Sequence, residues 1–285
     1  MMEECIGLDA EKHEKEHQED LRRIKEFRLM DDDFMNACFK NNIEGTQLLI
    51  RIILGRDDIT VTSVTTQSVM KNLQGRDIWL DIDAKDADGR AFDIEIQRTD
   101  KGADRKRARY HSSIMDAHLL QPGEDCCKLP ETYVIFITEN DVLGSGEPLY
   151  SIDRQIINTG EPFGDETHIL YVNGENRDAT TELGKLMHDF FCTNPDEMHY
   201  EELANKARYY KEDEKGVSMM CKAMEDMRNE VAERVAERVE KQTKLDDIKN
   251  IMATFGVSIE KAMEALKIPK SQWNTYMGLL EKRAL

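Results

Sequence analysis

Residues 78–97, IWLDIDAKDADGRAFDIEIQ, constrain this chain more than any other stretch. Two runs with period-two alternation flank an Asp88-Gly89 pair. Ile78, Leu80 and Ile82 alternate with Trp79, Asp81 and Asp83, while Phe92, Ile94 and Ile96 alternate with Asp93, Glu95 and Gln97. The pattern predicts a β-hairpin with one apolar and one polar face. With the turn centred on Asp88, Asp81 falls opposite Glu95 and Asp83 opposite Asp93. Like charges opposed across a ladder repel, so this face needs a cation, a proton or open solvent. It is a candidate metal site.

A chain of 285 residues, 40% hydrophobic and 34% charged, suits a globular protein with a sizeable core and a highly charged surface. It contains no apolar run long enough to span a bilayer, and residues 1–20 lack the apolar stretch of a signal peptide. The expectation is a cytoplasmic protein with no membrane partner. Cys5, Cys38, Cys126, Cys127, Cys192 and Cys221 have no CxxC spacing, so they read as reduced thiols rather than a disulfide or zinc framework. A net charge of -18 argues against general nucleic-acid binding but leaves room for a local basic surface. Residues 98–109, RTDKGADRKRAR, hold six Lys or Arg against two Asp directly after the hairpin. Basic residues beside clustered carboxylates suit a metal site that handles a polyanion; the plainer alternative is a helix face that balances nearby acids.

The order of elements predicts an α/β or α+β core. Residues 1–28 form a charged N-terminal arm. The segment MDDDFMNACFKNNIEGTQLLIRIIL has helical apolar spacing, with Asn41-Asn42 as an interruption. A β-branched strand covers 59–67, a helix 103–120, a buried strand 132–140, another strand 166–174 and an amphipathic helix 181–191. The core then runs over 29–195, followed by a helical connector, 196–245. Val231, Val235 and Val239 make a narrow stripe on that connector, suited to a homodimer. The tail, 246–285, breaks at Gly256 and Pro269, with Ser258 and Ser271 as helix caps, and reads as a helix-turn-helix-like unit.

These residues resemble the PD-(D/E)xK nuclease superfamily, in particular the Rpn-type recombination-promoting nucleases, a group also described as transposases. The resemblance runs from MDDDFMNACF through LDIDAKDADGRAFDIEIQ, RARYHSSIMDAHLLQPGED and TYVIFITEN to the tail segment GVSIEKAMEALKIPKSQW. It implies a restriction-endonuclease-like core, a central mixed sheet flanked by helices, with a C-terminal helical extension. The family's metal-binding Asp and Glu fall on Asp81 and Glu95. Its lysine position falls on Gln97, a departure that leaves the metal to carry more of the charge. Glu44 best matches an additional acidic residue from the first core helix, whereas Asp83 and Asp93 match nothing in the motif and stay open as supporting or solvent-facing groups.

The resemblance implies a metal-dependent DNA endonuclease acting in recombination or on mobile elements. Its Mg2+ or Mn2+ would be held by Asp81, Glu95, the Ile96 carbonyl and Glu44, beside Gln97. Arg105, Lys106, Arg107, Arg109 and Tyr110 of the basic helix are placed to meet DNA, with Arg105 and Arg109 sharing a face at i, i+4. The alternative is a catalytically inactive member that binds DNA or protein through its helical tail.

Overall fold

A computed structural model of the chain describes residues 2–72 and 75–281, with side chains for 14–72 and 75–280. The side chain of Cys5 and the last residues of the tail lie outside this range. The first unit, Met1–Cys221, is built on a six-stranded sheet in the order β1-β2-β3-β4-β6-β5. Strands β1 (Val61–Met70), β2 (Ile78–Asp86) and β3 (Ala91–Gln97) form an antiparallel meander. Strands β4 (Thr132–Thr138) and β6 (Thr167–Asn173) continue from β3 in parallel, and the short β5 (Leu149–Ile152) closes the edge antiparallel to β6. This is the expected mixed sheet flanked by helices. β5, four residues long, carries too little pattern to be read from sequence.

Every residue of β4 is buried, as its unbroken apolar run predicts. Helix α4 (Arg105–Leu119) lies on one face, where Ala103, Ala108 and Met115 pack against Val134, Phe136 and Tyr171. The small side chains at 103 and 108 let helix and sheet approach closely. Helices α2 (Asp32–Phe39) and α3 (Ile43–Leu54) meet the sheet at β1 and are joined by α5 (Glu182–Phe191) and α6 (Glu201–Glu212). Asn41-Asn42 separates α2 from α3 as expected. Asn41 takes φ 54°, and the Asn42 side chain caps α3 by accepting the Gly45 N–H. The charged arm is largely one helix, α1 (Met2–Glu26), whose end tucks Ile24 into the core.

The second unit spans Lys222–Leu285. The last part of α7 (Glu214–Phe255), α8 (Ile259–Ala265) and α9 (Trp273–Glu281) surround a small core of Leu245, Ile248, Ala262, Met263, Ile268 and Tyr276. Gly256, at φ 61°, ends α7 as a left-handed residue, and Ser258 takes the cap position of α8. Ser271 differs from expectation: it sits inside a 3-10 turn before α9 and caps nothing. Val231, Val235 and Val239 are exposed along α7. No helix among the described residues is long and apolar enough to cross a membrane. Cys38, Cys126, Cys127, Cys192 and Cys221 are free thiols.

One buried cation ties the first unit together. The Lys211 ammonium on α6 donates to the carbonyls of Lys25, Phe27 and Thr193, and sits 5.1 Å from the Phe34 ring centroid. Each buried carbonyl left without a donor costs about 1–3 kcal/mol. Lys211→Met keeps the apolar stem and removes the donor, so it should lower unfolding free energy by about 3 kcal/mol, read as a lower urea midpoint.

Candidate active site

The β2–β3 turn closes around Asp86. Its carboxylate accepts from the N–H groups of Asp88 and Arg90 and pairs with the Arg90 guanidinium. Gly89 supplies the positive φ, 87°, that this turn requires. The register that results sets Asp83 opposite Asp93, and the ladder runs only as far as Ile82 and Ile94. One residue further, carboxylates take over from the backbone. The Asp81 N–H donates to Glu95 Oε1 at 3.2 Å, and the Ile96 N–H donates to Asp81 Oδ2 at 2.8 Å. On its other side, β2 pairs with β1 on to Met70–Ile78, but the ladder skips Gln67, which takes φ 52°. A left-handed non-glycine residue in a strand stores about 1–3 kcal/mol. Asp81 stands where β2 parts from β3.

Glu95 is fully buried. Its Oε2 accepts from Arg107 Nη2 at 2.6 Å and Gln97 Nε2 at 3.3 Å. Arg107 also donates through Nη1 to the Gly102 carbonyl at 3.1 Å and through Nε to His111 Nε2 at 3.3 Å. A guanidinium only donates, so His111 Nε2 is the acceptor and its ring proton sits on Nδ1. That nitrogen faces Asp93 Oδ2 at 2.8 Å. Burial pushes the His111 pKa down, in keeping with a neutral ring. Asp93 is fully buried, and its Oδ1 has no hydrogen-bond partner among the described residues. Gln97 lies across Gly102, where a Cβ would collide with its Oε1.

Burial is the main force raising the carboxyl pKa values here. It pushes Asp81, Asp93 and Glu95 up; the Asp81 charge raises Asp93 further, and Asp93 and Asp81 together raise Glu95. The Ile96 N–H on Asp81, and Arg107 and His111 beside Glu95, oppose this only in part. Asp93, Glu95 and His111 bring ligand-type atoms within 4.8 Å of one another, with Asp81 adjoining through Glu95. Both ring nitrogens of His111 are already engaged, by Asp93 and Arg107, which leaves the carboxylates as the donors. Crowded, partly uncompensated carboxylates and an orphaned oxygen fit a divalent ion of the hard, oxygen-preferring class.

A cavity of about 670 Å³ opens beside Asp81, Ile96, Gln97 and Arg107, with Asp32 and Glu139 on its wall. Asp32, in the first turn of α2, helps to raise the Asp81 pKa. Glu44 is exposed in the first turn of α3 and does not line this cavity. The acid that α2 brings here is therefore Asp32. Asp83 is half-buried and accepts from Ser68 at 3.2 Å. On α4, Lys106, Arg107 and Tyr110 line a second cavity. The Tyr110 hydroxyl is engaged with the Arg76 carbonyl and the Asn72 amide. Arg105 instead lines an apolar cavity with Leu143 and Tyr150, and Arg109 is exposed.

Sequence reasoning passed over His111 and Asp32 and gave Arg107 no place at the carboxylates. The signal lay in the buried stripe of α4, Ala108, His111 and Met115, which puts an imidazole on the face that meets the sheet. A second group, His188, Asp189 and His199, also gathers ligand-type atoms. There, both Asp189 oxygens accept backbone N–H groups, from His199 and Tyr200, which anchors the start of α6.

A family model described as PD-(D/E)XK nuclease family transposase matches residues 39–254. The match takes in the hairpin and α4, while Asp32 precedes it and α8 and α9 follow it. No curated protein and no solved structure matches the chain.

The raised carboxyls hold protons in the fold that the unfolded chain releases. Without metal, stability should therefore fall as pH rises from the ordinary carboxylate range through their raised values. Thermal unfolding in EDTA should show this decline, and Mn2+ should raise Tm more at mildly alkaline than at mildly acidic pH. Asp81→Asn should raise Tm in EDTA and shrink the Mn2+ shift.

Proposed function

Because the chain belongs to the PD-(D/E)XK nuclease family transposases, we propose that it is a metal-dependent DNA endonuclease that hydrolyses phosphodiester bonds in recombination or at mobile elements. Its support is that Asp81, Ile96, Gln97 and Arg107 line one cavity, with Glu95 buried behind them and bonded to the Asp81 N–H, Gln97 and Arg107. Asp81, Glu95 and the Ile96 carbonyl would hold Mg2+ or Mn2+, which when bound neutralises phosphate charge and lowers the pKa of coordinated water.

The chain's own residues supply the rest. Gln97 offers an amide that orients water without adding charge. Arg107 brings the missing positive charge from a helix rather than from the strand, within 3.5 Å of Gln97 Oε1. Its guanidinium is held by Glu95, Gly102 and His111, so it is aimed before any phosphate arrives. Asp93 acts through His111, fixing the ring that in turn fixes Arg107. Lys106 is the residue of α4 best placed to meet a neighbouring phosphate, because it lines the cavity that adjoins Arg107.

Supercoiled plasmid should be nicked in Mg2+ or Mn2+ and left intact in EDTA. Asp81→Ala and Glu95→Ala should abolish nicking while preserving the circular dichroism spectrum. Arg107→Ala should slow it about 100-fold, with Arg107→Lys recovering part of the rate. Plasmid that stays intact with either metal sinks this proposal, and DNA binding that survives Asp81→Ala without any cutting points to an inactive binding member.

A further inference from the structure

Trp79 stands out on β2 because its indole is 63% exposed, two residues from Asp81. Alternate residues of a strand project from the same face, roughly 7 Å apart. Trp79 is paired through the backbone with Val69 of β1, on the stretch of β2 that has already parted from β3. The side chain is thus held on a hydrogen-bonded ribbon, with its ring free.

The indole lines a cavity of about 830 Å³ together with Arg76, Lys101 and Lys106. Arg107 belongs to the wall of both this cavity and the one beside Asp81. Arg76, Lys101 and Lys106 form no ion pair among the described residues. The two acids of the same cavity are already engaged: Asp77 with Lys71 at 2.8 Å, and Asp104 with the Lys106 N–H as the cap of α4. In a chain with 57 acidic against 39 basic side chains, three cations without an ion pair around one exposed indole, against the single unpaired carboxylate of Asp104, mark an anion-binding surface with a flat apolar platform.

An indole platform among phosphate-binding cations suits single-stranded nucleic acid, because only an unpaired base has a free π-face to offer. In duplex DNA that face is covered by the neighbouring base pair. Resting on the nuclease reading, we propose that Trp79 stacks an unpaired base of a DNA strand whose phosphates lie along Arg76, Lys101 and Lys106. The site then favours DNA with an unpaired nucleotide next to the scissile phosphate: a single strand, a frayed end or a flap.

The chain has two tryptophans, so Trp273→Phe in the full-length protein leaves Trp79 as the sole indole reporter. Its emission is followed in EDTA, where cutting is suppressed, while oligothymidylate or a blunt duplex of equal length is added. Anisotropy of labelled DNA reports binding independently. Oligothymidylate should quench Trp79 strongly and the duplex weakly. Trp79→Ala should weaken oligothymidylate binding about tenfold with the salt dependence unchanged. Lys106→Ala should instead lower the salt slope by about one. Oligothymidylate that binds without quenching Trp79, equal quenching by the duplex, or unchanged affinity of Trp79→Ala overturns the stacking site. A plasmid still cut in that case leaves the nuclease reading standing. Absence of both cutting and binding overturns the two together.

Discussion

Two carboxylates on one strand, Asp93 and Glu95, are sealed beneath a helix, and most of the molecule follows from how they are accommodated. A buried carboxylate without compensation costs several kcal/mol. Here α4 supplies an imidazole for one and a guanidinium for the other. That helix reaches the sheet because alanines at 103 and 108 permit close contact and Asp104 caps its start. The same packing that builds the core therefore also sets the site. Damage to the α4–sheet contact would loosen both at once.

The hairpin and its register were legible because alternation and an Asp-Gly turn leave few other arrangements. The order of the larger elements was legible for similar reasons, including the break at Asn41-Asn42. Other features leave no trace in a one-dimensional pattern. An alternating strand reads alike whether its polar side meets water or a helix, so the complete burial of Asp93 was hidden. Arg107 was one of several basic residues in a row, and only the rotation of α4 separates it from Arg105, which faces Leu143 and Tyr150. That Asp32 rather than Glu44 lines the cavity could not be read either, because it depends on how α2 and α3 are turned against the sheet.

The parting of β2 from β3 is equally invisible to propensity. It arises where carboxylates, not carbonyls, receive the backbone N–H groups of Asp81 and Ile96. A ladder that continued regularly would have satisfied the backbone and left the two acids facing each other. The exchange stabilises both acids with donors and opens the sheet beside them. Strain at Gln67 accompanies that opening, in a position with no evident packing benefit of its own.

Gln97, Gly102 and Arg107 also constrain one another. The amide at 97 takes its observed place against position 102 because that residue has no side chain, and the guanidinium donates to the carbonyl of that same glycine. A lysine at 97 would set two cations side by side over one glutamate. The strand position, the glycine and the helix position therefore form one interlocked unit, in which the choice made at any of the three limits what the other two can carry.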